Sequence, residues 1–285
     1  MRYAVAAPVS LGDCLARLLA EASGRTRKQM LAGGRVRVNG TITRRVDVAL
    51  AAGDVVEVAA KGPRAALRPG LALVYEDDDV IVVEKPAGLL TVATERERER
   101  TVYAHLMARA RNRKPPARVF VVHRLDRLAS GLLVFAMSPG VKRALQAQFA
   151  AHSVERTYLA VVEGRLARPE GTIASRLLDD APGRVRETRR PGRGRAAVTR
   201  WRVLRTGARH TLLEVGLETG RRNQIRVHLA GLGHPIAGDA AYGSRTDPFG
   251  RLALHARVLG FDHPRTGARL RFVSPVPPAF ARLPG

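Results

Sequence analysis

In residues 121–136 (VVHRLDRLASGLLVFA), Asp126 lies between Arg124 and Arg127, in a short connection between two apolar runs. Flanking guanidinium groups favour an ionised carboxylate, and a strand end is a rigid platform for a reactive group. Residues 218–243 (ETGRRNQIRVHLAGLGHPIAGDAAYG) supply cations: a turn at Gly220 is followed by Arg221, Arg222, Gln224, Arg226 and His228. If residues 223–230 are helical, Arg222 and Arg226 share one face at i,i+4, and a cation delivered there can meet Asp126. Residues 155–164 (ERTYLAVVEG) put Tyr158 at the start of an apolar strand. Each segment also has a plainer reading. Asp126 can be a turn residue bonded to local amides, the arginines can line a surface helix, and Tyr158 can be a core phenol with its hydroxyl bonded. His123 and Asp126 lack the companion ligands that a metal centre would need, so no metal site is expected.

The elements that must position these residues read as strands with intervening helices. Strands are expected at residues 74–76, 80–83, 119–122, 131–135, 200–204 and 211–217, and helices at 101–110 and 141–150. Residues 95–100 alternate acid and base and read as an exposed loop, and residues 180–196, rich in Pro, Gly and Arg, read as a mobile basic loop. Strands outnumber helices without regular alternation. This predicts an α+β fold with a mixed, mainly antiparallel central sheet rather than a doubly wound one. No phosphate-binding Gly-x-x-x-x-Gly-Lys sequence or strand-linked dinucleotide fingerprint occurs, so no cofactor is expected.

Before these elements comes a small basic unit. Leu11, Leu15, Leu18 and Leu19 fall at helical spacing, predicting a helix over 10–22, broken at Ser23-Gly24. A second helix is expected over 26–32, a strand over 35–38, a hairpin turn at Asn39-Gly40 and a strand over 55–58. Residues 61–71 (KGPRAALRPGL) read as a linker.

Composition narrows the partner. The net charge is +24, and 44 of the 49 basic residues are Arg. That balance points to a polyanion, because neutralising phosphates releases condensed counterions. No apolar run approaches the roughly 20 residues of a membrane-spanning helix. The first residues carry no apolar signal core, and the single cysteine, Cys14, cannot form an internal disulfide. The expectation is a cytoplasmic RNA-binding monomer that does not engage membranes.

Residues 8–60 resemble the S4 (alpha-L) RNA-binding domain, through SGRTRKQMLAGGRVRVNG at 23–40 and AGDVVEV at 52–58. The resemblance implies an RNA-gripping face carrying Arg25, Arg27, Lys28, Arg35 and Arg37. Residues 73–280 resemble the RluA/RluD family of pseudouridine synthases. The resemblance rests on Glu84-Lys85-Pro86-Ala87-Gly88-Leu89, then His-Arg-Leu-Asp (123–126) with Ser-Gly-Leu-Leu (130–133). It continues in the 219–243 segment, in Leu252-Ala253-Leu254-His255-Ala256 and in FDHPRTG at 261–267, in the family's order. Three places depart from the usual pattern: Leu128-Ala129 stand for a common Asp-Thr, Arg222-Asn223 for Thr-His or Ser-His, and Thr91 to Thr94 lack a His-Pro.

The resemblance implies two domains and a linker: an S4-like domain at 1–62, a linker at 63–72 and a catalytic domain at 73–285. It implies isomerisation of uridine to pseudouridine in structured RNA, foremost large-subunit ribosomal RNA, with transfer RNA as the other substrate. The N1–C1′ bond breaks, the uracil turns, and C5 rejoins the ribose. Such a base must first be flipped out of the helix. Asp126 is then the essential carboxylate, acting at C1′, at C6 or on a ribose proton. Arg226 is its basic partner, Tyr158 the aromatic stacked on the base, and Arg124 the residue that fills the vacated space, with Arg221 and Arg222 contacting RNA. Two other readings compete: an inactive RNA-binding or ribosome-assembly factor on the same scaffold, and a metal-dependent hydrolase using Asp126.

Overall fold

The computed structural model describes the chain except residues 1, 21, 33–35, 59–69, 96, 114–115, 182–183, 191 and 284–285, and except the side chains of 25, 29, 32 and 181. The chain divides into two compact units, Met1–Ala66 with Met107–Arg118, and Leu67–Leu106 with Val119–Gly285.

The first unit holds β1 (Arg2–Ala4), β2 (Val9–Ser10), α1 (Leu11–Leu18), α2 (Gly24–Ala32), β3 (Val36–Val38), β4 (Thr41–Ile42), β5 (Ala49–Leu50) and β6 (Val55–Val58). Ser10 caps α1: its Oγ accepts from the Asp13 amide at 3.1 Å, satisfying a donor that the first turn leaves open. Leu11, Cys14 and Leu15 pack with Leu31, Val36, Leu50 and Val56 as the unit's core. The strands pair in the order β1-β6-β3-β4. Asn39 (φ 50°) and Gly40 (φ 80°) make the expected turn between β3 and β4. Arg35 lies outside the described residues, as does the expected linker up to residue 69; β7 has begun by Ala72.

The second unit contains β7 (Ala72–Glu76), β8 (Val80–Lys85), the start of α3 (Val102–Arg111), β9 (Phe120–Val121), β10 (Ser130–Ala136), α4 (Pro139–Ala150), β11 (Glu155–Glu163), β12 (Glu170–Ala181), β13 (Arg184–Thr188), β14 (Arg195–Thr206), β15 (His210–Leu217), α5 (Gln224–Gly231), β16 (Leu254–Asp262), β17 (Arg269–Val273) and α6 (Pro278–Ala281). Among the described residues its sheet has eleven strands, in the order β13-β12-β14-β15-β11-β16-β10-β8-β7, with β17 on β16 and β9 on β10. It is a mixed sheet, antiparallel except where β10 meets β16. Much of the mobile loop expected at 180–196 is instead strand, with β13 paired antiparallel to β12: Leu177, Val185, Ala197 and Val227 of α5 bury a small apolar cluster, which gives the strands of this arginine-rich stretch a reason to form.

The parallel crossing positions the site. Ala256 of β16 is opposite Gly131 on one side and Tyr158 on the other. A Cβ at Gly131 would lie 2.1 Å from the Ala256 carbonyl oxygen, and its φ is +111°, so only glycine allows the two backbones this close. Between Ala256 and Val258 the register against β11 shifts, leaving Arg257 as the extra residue of a β-bulge.

Gly131→Ala is expected to cost about 3 kcal/mol, since both backbone strain and a main-chain clash must be relieved. Gly40→Ala, at positive φ but in open space, should cost only about 1 kcal/mol. Urea denaturation of both variants checks the contrast; equal losses would contradict the close-approach account.

Candidate active site

Asp126 occupies the first position of a tight turn from β9 to β10, closed by Ala129 N–H donating to the Asp126 carbonyl at 3.2 Å. The residues after β8 hold this turn from below. Thr91 Oγ1 donates to the Leu125 carbonyl at 2.8 Å and accepts from its amide at 3.2 Å. The Gly88 amide and the ammonium of Lys85 both donate to the Arg127 carbonyl. Lys85 is fully buried and also donates to the carbonyls of Pro86 and Leu89. Three acceptors match the three N–H bonds of an ammonium group. Burial pushes Lys85 down to about 7, with the nearby charge of Asp126 opposing and Arg251 adding.

A second set of bonds holds the start of β10. Arg251 Nη2 donates to Ser130 Oγ at 2.7 Å. Ser130 Oγ bonds His255 Nδ1, and His255 Nε2 bonds Ser274 Oγ. Ser274 in turn donates to Glu84 Oε1 at 2.8 Å. Because Ser274 spends its proton on Glu84, it accepts from Nε2–H, and His255 Nδ1 accepts from Ser130. Burial, with the Arg251 charge, keeps His255 near 4 and neutral.

Helix α5 is stapled to β14 by its own motif. Gln224 Nε2 donates to the Val198 carbonyl and Thr199 Oγ1, and His228 Nδ1 bonds the same hydroxyl at 2.8 Å. Gln224 and His228 stand at i,i+4 and therefore share a face, while Arg226 projects elsewhere. Its Nη1 stands 3.6 Å from Asp126 Oδ2. Its Nε and Nη2 make a fork onto the two oxygens of Asp239, each at 2.7 Å. Asn223 Oδ1 accepts from Nη1 at 3.2 Å, and the Tyr242 ring lies 4.7 Å beneath the guanidinium. Burial opposes the Arg226 charge, but the bonds and charge of Asp239, with Asp126 and Tyr242 adding, raise its pKa nonetheless.

One pocket brings together Asp126, Arg124, Tyr158, Arg221 and Arg226, walled by Leu125, Leu217, Ile225 and Leu254. Tyr158 is buried at its side. Burial foremost, with the charge of Asp126 adding against that of Arg156, pushes its phenol up to about 12.

Other expected positions fall elsewhere. Asn223 adopts φ 52° and α5 begins only at Gln224, so Arg222 is outside the helix and does not share a face with Arg226. It pairs with Asp179 at 2.8 Å instead. In the first unit, Lys28 and Arg37 are exposed, while Arg27 Nη1 donates to the carbonyls of Leu19 and Ala22 and so caps the chain after α1. Arg25 lies in α2, with its side chain outside the described residues. His123 is a scaffold residue: Nε2 accepts from the Val134 amide at 3.2 Å, and burial, with the Arg156 charge, holds it near 3. Sequence reasoning missed Asp239 and Tyr242 as partners of Arg226, although both stand in the Gly-Asp…Tyr-Gly stretch; spacing alone does not say which cation they serve.

Among the described residues, one group, Asp77, Asp79 and His263, is close enough to hold a metal. Its bonds are already assigned. His263 Nδ1 accepts from the amides of Arg265 and Thr266, so Nε2 carries the proton and donates to Asp77 at 3.0 Å, and Arg265 Nε donates to Asp79 at 2.6 Å.

Comparison with known proteins agrees. The family model described as RNA pseudouridylate synthase matches residues 79–231. An uncharacterised RNA pseudouridine synthase of Bacillus subtilis, YlyB, is 39% identical over 269 residues, covering 90% of this chain and 86% of its own. The ribosomal large subunit pseudouridine synthase D of Pseudomonas aeruginosa is 36% identical over 272 residues, covering 88% and 83%. Among solved structures, human RNA pseudouridylate synthase domain containing 1 superposes with a TM-score of 0.59 at 26% identity, over 74% of this chain and 87% of that one. Human domain containing 4 gives 0.61 at 24% identity, over 74% and 90%, a likeness of fold. The chain therefore belongs to the RNA pseudouridylate synthase family, in its RluD-type branch, and is an isomerase that converts uridine to pseudouridine in RNA.

Proposed function

We propose that this enzyme modifies large-subunit ribosomal RNA, with Asp126 as its essential carboxylate. The observation that carries the site assignment is the shared pocket of Asp126, Tyr158 and Arg226, with Arg226 Nη1 at 3.6 Å from the carboxylate. Relatives named ribosomal large subunit pseudouridine synthase D support the RNA class.

A uridine flipped from its helix enters beside Tyr158, whose ring stacks on the base, while Arg124 at the rim takes the vacated place. Asp126, ionised and oriented by Arg226, engages the nucleoside as N1–C1′ breaks. The freed uracil turns, C5 bonds to C1′, C5 releases its proton and N1 gains one. Atoms and electrons balance without a redox partner, and the protein works without a cofactor. Arg221 contributes its charge to the pocket mouth, and Arg222, through Asp179, steadies the hairpin next to it.

In this reading residues 1–62 form an S4-like domain, 63–72 a linker and 73–285 the catalytic domain. Two helices packed beside a small antiparallel sheet, and the exposed basic residues on them, support that assignment. Lys28 and Arg37, both exposed, would face phosphates, with Arg27 shaping the same surface. The enzyme is taken to act as a cytoplasmic monomer; among the described residues no helix is long and apolar enough to cross a membrane.

Asp126→Asn nearly preserves shape and removes the charge. It should abolish tritium release from RNA labelled at uracil C5 and keep RNA affinity within about tenfold, roughly 1.4 kcal/mol; wild-type release would refute the assignment. The double variant Lys28→Glu/Arg37→Glu should weaken RNA binding and lower the slope of log affinity against log salt by about 1–2, leaving turnover at saturating RNA intact. An unchanged slope would separate this face from RNA.

A further inference from the structure

We infer that Asn223 is a positioning residue for the isomerisation: its side-chain amide, oxygen to Arg226 and nitrogen to Tyr242, fixes the guanidinium nitrogen that meets Asp126. This deepens, and rests on, the reading of Asp126 as the acting carboxylate.

Asn223 stands at the entry to α5, where an asparagine side chain ordinarily accepts from an amide of the first turn. Here it makes no such cap. The backbone opens the helix instead, the Val227 amide donating to the Asn223 carbonyl at 2.9 Å. With φ at 52°, a conformation that asparagine tolerates better than most residues, the side chain joins the pocket wall. The residue is 9% exposed, so its polar atoms need partners inside the protein. A guanidinium only donates, so the atom 3.2 Å from Arg226 Nη1 is Oδ1. Nδ2 is then the atom that donates to the Tyr242 hydroxyl, at 2.9 Å. That hydroxyl accepts a second bond from the Val185 amide of β13, at 3.1 Å, and the ring that carries it underlies the guanidinium. One amide therefore joins the helix cation, the loop after the helix and a strand of the sheet.

The consequence is directional. Nη1 carries two hydrogens; Asn223 accepts one, and the other is left for Asp126, 3.6 Å away. The acceptor is neutral, so it aims the nitrogen without competing for its charge. A carboxylate in its place would draw Nη1 aside and set a like charge beside Asp126. Asp126 is otherwise faced by Lys85 beneath its turn and by Tyr158 across the pocket, with Arg124 and Arg127 flanking it along the chain. The same geometry gives a reason for one departure from the family pattern, the asparagine standing where histidine is common. A neutral imidazole offers one acceptor nitrogen and one N–H, so either residue can serve the same two partners.

The test compares wild type, Asn223→Gly, Asn223→Asp, Asn223→His and Asp126→Asn as full chains. The substrate is total RNA, tritiated at uracil C5, from cells lacking the protein. Single-turnover release is measured at saturating RNA across pH, with RNA affinity and thermal unfolding in parallel. Asn223→Gly keeps the left-handed backbone and removes the amide. It should release tritium about tenfold more slowly, with RNA affinity within about twofold. Asn223→Asp should move the acid limb up by about one pH unit, because a second negative charge disfavours the ionised Asp126. Asn223→His should recover most of the Asn223→Gly loss above about pH 7, where imidazole is neutral. A merely structural role would lower the melting temperatures and leave rate and limb in place. Wild-type release by Asn223→Gly, or an unmoved limb in a folded Asn223→Asp, overturns the inference, and so does an Asn223→His as slow as Asn223→Gly. If Asn223→Asp does not fold, the other two decide: slow release by Asn223→Gly with recovery in Asn223→His supports the inference, and equal rates overturn it. Release by Asp126→Asn would instead sink the underlying reading of Asp126.

Discussion

The site depends on a backbone contact that involves no reactive side chain. Ala256 is the neighbour of Gly131 and of Tyr158 at once, so the strand leaving the Asp126 turn and the strand carrying the pocket phenol are measured against one residue. Sheet register is quantised, because strands slip by whole residues. The spacing between carboxylate and aromatic ring is therefore set by main-chain hydrogen bonding, and glycine at 131 is what lets the strands meet. The long side chains around the pocket then need only be held in rotamer, and the forks, staples and caps described above do that.

The motif residues divide into those that face the pocket and those that hold the frame. In His-Arg-Leu-Asp, Arg124 and Asp126 line the pocket, while His123 is a neutral acceptor for a strand amide. In Gln-Ile-Arg-Val-His, Arg226 and Ile225 face the pocket, His228 bolts the helix to β14, and Gln224 does both. Burial keeps His123 near 3 and both His228 and His255 near 4, so these three histidines serve as fixed hydrogen-bonding links near neutral pH.

Much of this was legible in the sequence, because the signals were local or came from motifs in a known order. The apolar runs at 80–83 and 131–135 became β8 and β10, and Asn39-Gly40 turned as that dipeptide does. Asp126, Tyr158 and Arg226 were named from sequence, and they share a pocket. What could not be read is what only tertiary contact decides. The arginine-rich 180–196 stretch looked like loop because its composition is polar, yet Leu177, Val185 and Ala197 find Val227 to pack on. Arg222 fitted a helical face until Asn223, in a left-handed conformation, delayed the helix by a residue. Asp239 could have paired with any nearby cation, since a chain position thirteen residues after Arg226 says nothing about distance in space.

The bulge at Arg257 lets one strand change phase partway along its length. Opposite β11, Leu254 and Ala256 share the side of Tyr158, and beyond the bulge Leu259 takes that side in place of Val258. Even-numbered Leu254 thus lines the pocket, and odd-numbered Leu259 and Phe261 continue the same surface into the apolar cluster around Val80, Leu132 and Leu145. A chain shortened by that single residue would keep its composition almost unchanged and yet turn either its wet half or its oily half inside out, so length here is as strictly encoded as side-chain identity.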